Sequence, residues 1–262
     1  MKKLITICSE KKNILVSIVA LMLLLTATQY GLADTIYNDG GIHNINTTMP
    51  SGTVGVQNAT TVNVLSGGNI NGGNQTWAYG INCNASFVNI YSGSSITGGT
   101  SSNCSDGIRT YSNSLINIYG GSITGGNGGW ADGIIVNDNS IMNIYGGSIT
   151  GGNGVWADGI IVYNGTVVNI YGGSIAAGSG NRCRGLEAFG GSVNIYGTNF
   201  NYSLGPISAY SGTLTGKLAD GTSLNVTFYQ QSLGEIVLSP IPEPATICLL
   251  GLGALRLIKR KK

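Results

Sequence analysis

The segment NIYGGSITGGNG stands at residues 117–128 and recurs letter for letter at 143–154. The match extends to 117–136 against 143–162, with Gly129 against Val155 as the one difference. A chain repeats itself at a fixed period when each copy is one structural unit that buries its apolar face only by stacking on the next. Weaker copies flank the strong ones. Their shared asparagines, Asn63, Asn89, Asn117, Asn143, Asn169 and Asn194, are 26, 28, 26, 26 and 25 residues apart.

Each period holds three short runs of alternating apolar and polar residues, of the types DGIIV, MNIYGG and SIT, and alternation is the signature of a strand. Gly, Asn and Asp punctuate them, as turns require. Nothing in the body shows a helical stripe. The spacing therefore predicts an all-β, single-stranded parallel β-helix of about six coils of ~26 residues, three short strands to a coil, rising ~4.8 Å per coil. Equivalent residues should then form columns. Three are expected inside: Val64, Ile90, Ile118, Ile144, Ile170 and Ile195; Ile70, Ile96, Ile123, Ile149 and Ile175, ending in Phe200; and Ile81, Ile108, Ile134, Ile160 and Leu186. Residues 35–60 read as a degraded first coil, and residues 204–238 break the period and read as a terminal cap around Asp220-Gly221.

Glycine accounts for 43 of the 262 residues and charged residues for 9%, but hydrophobic residues reach 42% and fall at regular spacing, so a core is available. The net charge of +2 hides an uneven distribution. The ends are basic, whereas residues 34–241 hold four basic residues against nine acidic ones, a net of −5. An acidic body is a poor partner for nucleic acid, whose phosphates need a basic face.

Both ends read as addresses. Residues 1–33 combine a basic start, an apolar run at 14–27 and the small residues Gly31 and Ala33 before Asp34, the layout of a secretory signal peptide and hence of export through the Sec machinery. Residues 242–262 begin Pro242-Glu243-Pro244, continue into the apolar stretch Ala245–Leu255 and end in a basic cluster. This order resembles the PEP-CTERM protein-sorting signal of Gram-negative bacteria, here on a body similar to an autotransporter-like β-helix. The resemblance implies a short helical transmembrane segment, transient anchoring in the inner membrane, processing by an exosortase-type enzyme, and delivery to the cell surface or the extracellular matrix. The domain layout is then a signal peptide at 1–33, a β-helix at 34–203, a cap and linker at 204–241 and the sorting signal at 242–262.

Two outward columns could carry function. Tyr91, Tyr119, Tyr145, Tyr171 and Tyr196 read as a ladder that braces the sheet or as an aromatic strip facing extracellular polysaccharide. Asp106, Asp132 and Asp158 read as Asp-Gly turn residues screened by solvent, with a calcium column as the sharper alternative. Trp77, Cys104, Trp130, Trp156 and Arg182 align two places earlier. No Cys/His cluster has zinc spacing, no cofactor is expected, and Cys83, Cys104 and Cys183 are not placed to pair. The reading is a non-catalytic, adhesin-like or structural rod. The alternative is a polysaccharide-active or polysaccharide-binding β-helix, with the aspartate column and Arg182, Arg184 and Glu187 as its best residues.

Overall fold

The computed structural model describes residues 34–231 and 233–241. The expected signal peptide, its helical segments and the sorting signal with Pro242, Glu243 and Pro244 lie outside the described residues. Among the described residues every regular element is a strand, and no helix is long and apolar enough to cross a membrane. The transmembrane expectation therefore gains no support from the described residues.

The body is a parallel β-helix with three faces. The first face stacks Thr35–Tyr37, Val54–Val56, Ile81–Asn84, Ile108–Tyr111, Ile134–Val136, Ile160–Val162 and Leu186–Ala188. The second runs from Ile42–Ile45 and Thr61–Val64 through Phe87–Ile90, Leu115–Ile118, Ile141–Ile144 and Val167–Ile170 to Ser192–Thr198. The third is a five-stranded sheet, Asn69–Asn71, Ser95–Thr97, Ser122–Thr124, Ser148–Thr150 and Ser174–Ala176. Five coils thus carry all three strands, and an incomplete coil precedes and follows them. The expected six falls to five because the last copy, at Asn194, runs on into the cap instead of forming a third strand.

Register is in phase throughout. Ile118 lies between Ile90 and Ile144, and Ile134 between Ile108 and Ile160. All three inward columns are buried. Burying an isoleucine side chain contributes about 2–3 kcal/mol, against the entropy of ordering its coil, so no coil stands alone. The second column ends at Ile175. Phe200 does not continue it, because the chain leaves the coil path after Ser192–Thr198 and its ring packs over Gly197 and Gly216.

Side-chain ladders lock the stack from outside and at its corners. Each asparagine Nδ2 of the second face donates to the Oδ1 of its neighbour in the preceding coil, from Asn63 on Asn44 to Asn194 on Asn169, at 2.9 or 3.0 Å. A buried hydroxyl column, Thr60, Ser86, Ser114, Ser140 and Thr166, sits where the first face turns into the second. The corner after the second face uses left-handed glycines, including Gly93, Gly121, Gly147 and Gly173 at φ of 79°, 85°, 93° and 89°, which a side chain would strain. Asn143→Ala removes a donor to Asn117 and an acceptor for Asn169. It should lower the unfolding free energy in urea by about 1–2 kcal/mol, and an unchanged midpoint would show that the ladder is ornamental.

The terminal cap closes the open end. Ser211–Leu218 and Ser223–Gln230 form an antiparallel hairpin around Asp220-Gly221. Ser223–Gln230 then adds in parallel to Leu186–Ala188, placing Phe228 over Leu186, and Glu235–Pro240 adds in parallel to Ser192–Thr198. The cap thus covers strand edges that would otherwise pair with another chain.

Candidate functional site

The tyrosines Tyr91, Tyr119, Tyr145, Tyr171 and Tyr196 form one outward stack. Successive ring centroids are 5.2, 5.3, 5.1 and 4.5 Å apart, with planes inclined by 22°, 6°, 7° and 9°. The ladder follows from the second face, whose register sets each Tyr one residue after the inward isoleucine. Its interior rings spend both faces on their neighbours and show solvent their edges and hydroxyls. Sugar rings pack on aromatic faces, so this geometry braces the rod better than it beds a polysaccharide.

A cleft opens on another side of the stack. It has a volume of about 430 Å³ and is lined by Cys104, Arg109, Trp130, Asp132, Ile135, Trp156, Asp158, Ile161, Tyr163, Glu187 and Phe189. Two local features build it. An extra short parallel pair, Asn127–Trp130 with Asn153–Trp156, precedes the first face in the two near-identical coils and carries both tryptophans. Tyr163 and Phe189 stack at 5.3 Å at the other end of the first-face strands.

Asp106, Asp132 and Asp158 form a column at this cleft, and here the sequence expectation fails. These are not turn residues screened by solvent: their exposures are 0%, 0% and 1%. Each carboxylate is drawn into the backbone of the coil above. Asp106 Oδ1 accepts the Asp132 amide at 3.2 Å, Asp132 Oδ1 accepts the Asp158 amide at 2.7 Å, and Asp158 Oδ1 accepts the Arg184 amide at 2.5 Å. The Oδ2 atoms of all three lack a hydrogen-bond partner, and only that of Asp106 has a cation beside it.

Burial raises all three carboxyls, because the charged form loses its hydration. Asp158 is pushed up to about 7, with the neighbouring Glu187 adding to the rise. Asp132 rises through burial and then the Asp106 charge, and Asp106 rises through burial against the pull of Arg109. Arg109 Nε lies 2.9 Å from Asp106 Oδ2, its Nη1 donates to the Tyr79 hydroxyl at 3.0 Å, and its guanidinium covers the Tyr79 ring. Arg184 pairs with Glu187 and covers the Tyr229 ring, whereas Arg182 lies over Trp156, 5.0 Å from the ring centre. Of the expected cluster, Arg184 and Glu187 thus meet in an ion pair, whereas Arg182 sits on Trp156.

Among the described residues no group of three or more His, Cys, Asp or Glu side chains is placed to hold a metal ion, so the aspartate column does not assemble a calcium cage. Cys83, Cys104 and Cys183 are free thiols, and burial pushes that of Cys83 up to about 11. The sequence reading missed the cleft. The signal was present in the position three residues after each aspartate, which reads Arg109, Ile135 and Ile161 and departs from the strict repeat only at the first of these.

The PEP-CTERM protein-sorting motif matches residues 240–261. No curated protein and no solved structure matches the chain. The motif implies an exported protein that is held transiently at a membrane by its C-terminal segment and processed by an exosortase. The chain thus carries a PEP-CTERM protein-sorting motif behind a parallel β-helix body.

Proposed function

We propose that the mature protein is a non-catalytic, adhesin-like or structural rod of the cell surface or extracellular matrix of a Gram-negative bacterium, exported through the Sec machinery and released by the exosortase. The observation that carries this reading is the continuity of the columns. Asn, Tyr and Ile ladders run through the coils almost unchanged, and repetition of that kind serves length and stiffness rather than a single reacting centre. The cleft carboxyls support the same reading. Asp132 and Asp158 stand one above the other in a single column, whereas hydrolysis of a glycosidic bond needs two carboxyls flanking it.

The experiment is cell fractionation with and without residues 242–262. The intact chain should appear in the surface or matrix fraction without its C-terminal segment, and the truncated chain should escape to the medium or the periplasm. Identical distribution of both forms would overturn the sorting claim. Release of reducing ends or unsaturated sugars from a polysaccharide panel by the purified protein would overturn the non-catalytic one.

A further inference from the structure

The carboxylates of the cleft column are not equally provided for. The positions three residues further on are in register as Asn82, Arg109, Ile135, Ile161 and Glu187. At one end Arg109 answers Asp106. At the other, Arg184 and Glu187 occupy the same two positions with the charges exchanged. Between them Asp132 and Asp158 are followed by Ile135 and Ile161, so these two coils give their buried acid no cation of their own. The space an arginine would fill is the cleft itself. Both carboxyls line it, each with an unpartnered Oδ2 and no more than 1% exposure. A buried carboxyl without a donor is costly in its charged form, so it keeps its proton until a cation bound beside it favours the carboxylate.

We propose that this cleft binds an amino-sugar unit with a free, protonated amine, the ammonium paired with Asp132 and Asp158 and the sugar ring packed against Trp130 and Trp156. One face of Trp156 already carries a cation, Arg182, which leaves its other face and Trp130 to the sugar. Tryptophan planes also match the C–H face of a pyranose. A volume of about 430 Å³ is that of a small-ligand site and exceeds what one lysine stem fills. A rigid ring also loses less conformational freedom on binding than a lysine stem does. A metal ion fits poorly, because each Oδ1 is already spent on a backbone amide of the next coil. The site is a property of the folded body and does not depend on the rod's destination.

The test is calorimetric titration of the full chain, purified in mild detergent at pH 7, with three probes: a fully de-N-acetylated glucosamine oligomer, its N-acetylated counterpart and a lysine-rich peptide of equal charge. The free-amine oligomer should bind, and N-acetylation should weaken it about tenfold or more, the loss of one charge-assisted contact. The double variant Asp132→Asn, Asp158→Asn keeps the shape of the cleft and should lose the binding. Ile135→Arg supplies the cation from within and should lose it too. Circular dichroism of each variant separates lost binding from lost folding. Equal binding of the two oligomers, undiminished binding by the asparagine variant, no binding of the free-amine oligomer, or equal or tighter binding of the peptide would each overturn the proposal, the last in favour of a protein partner.

Discussion

Gly126→Ala should destabilise the stack by about 4 kcal/mol or more, at the top of the range for one substitution. The reason is the corner after the third face. A Cβ on Gly126 would overlap the Gly99 carbonyl oxygen of the preceding coil, and the same clash recurs for Gly99 on Gly73, Gly152 on Gly126 and Gly178 on Gly152. The obstacle is backbone on both sides. It is held by the Asn127 amide on Gly99 O at 2.9 Å and the Gly126 amide on Ser105 O at 2.6 Å, so neither coil can give way without losing its rung. Gly129→Ala is the control. A Cβ there meets nothing nearer than 3.2 Å, and Val155 already occupies the equivalent place one coil on. It should cost less than about 1 kcal/mol. Thermal or urea unfolding of the two variants decides the point. Equal stabilities would mean that the coils do not approach as closely as the glycine corner requires.

Stability should fall as pH rises from about 4 to about 8, against the usual trend for carboxylates held in salt bridges. The ordinary carboxyl value of 3.8 applies to the unfolded chain, and burial raises Asp158 to about 7 and lifts Asp132 and Asp106 as well. Between those limits the folded state holds protons that the unfolded state has released. Stability from the protonated column is therefore present in full below pH 4 and lost as pH passes through the folded values. The groups bearing on Asp132 are Asp106, Asp158 and Arg109, and those on Asp158 are Glu187 and Arg184. One arginine near each carboxyl does not offset burial plus a neighbouring acid. Asp132→Asn removes one titration while its side-chain oxygen still accepts the Asp158 amide. The variant should be more stable than the parent at pH 8 by roughly a few kcal/mol and little changed at pH 4. Urea unfolding at the two pH values measures it. A flat profile for the parent, or an asparagine variant weaker at pH 8, would contradict the burial of the column.

The coil was legible in the sequence because a repeat and a stack are the same fact. Once Asn117 and Asn143 are 26 residues apart in identical surroundings, Ile118 must lie over Ile144, and the core columns follow without coordinates. Exceptions to the repeat were harder to read. Phe200 has the spacing of a core residue but follows Ser192–Thr198, where the path changes into the cap hairpin, and no local pattern marks that departure. Asp106, Asp132 and Asp158 precede glycine, which by itself spells a surface turn. In the stack each is buried and accepts a backbone amide of the next coil, a partner that no single period displays. The cleft was illegible for a related reason. It lies where the Arg109 position becomes Ile135 and Ile161, and apolar residues within a strand look like core until the neighbouring aspartates prove to lack a cation of their own.

The direct test of the coil stack is the set of methyl nuclear Overhauser contacts in the body carrying labelled isoleucine. Ile118 should show contacts to Ile90 and Ile144, Ile134 to Ile108 and Ile160, and Ile123 to Ile96 and Ile149, each residue seeing its counterparts one coil below and above. Contacts that join these isoleucines to antiparallel partners, or none between Ile118 and Ile144, would contradict the stack and every column derived from it.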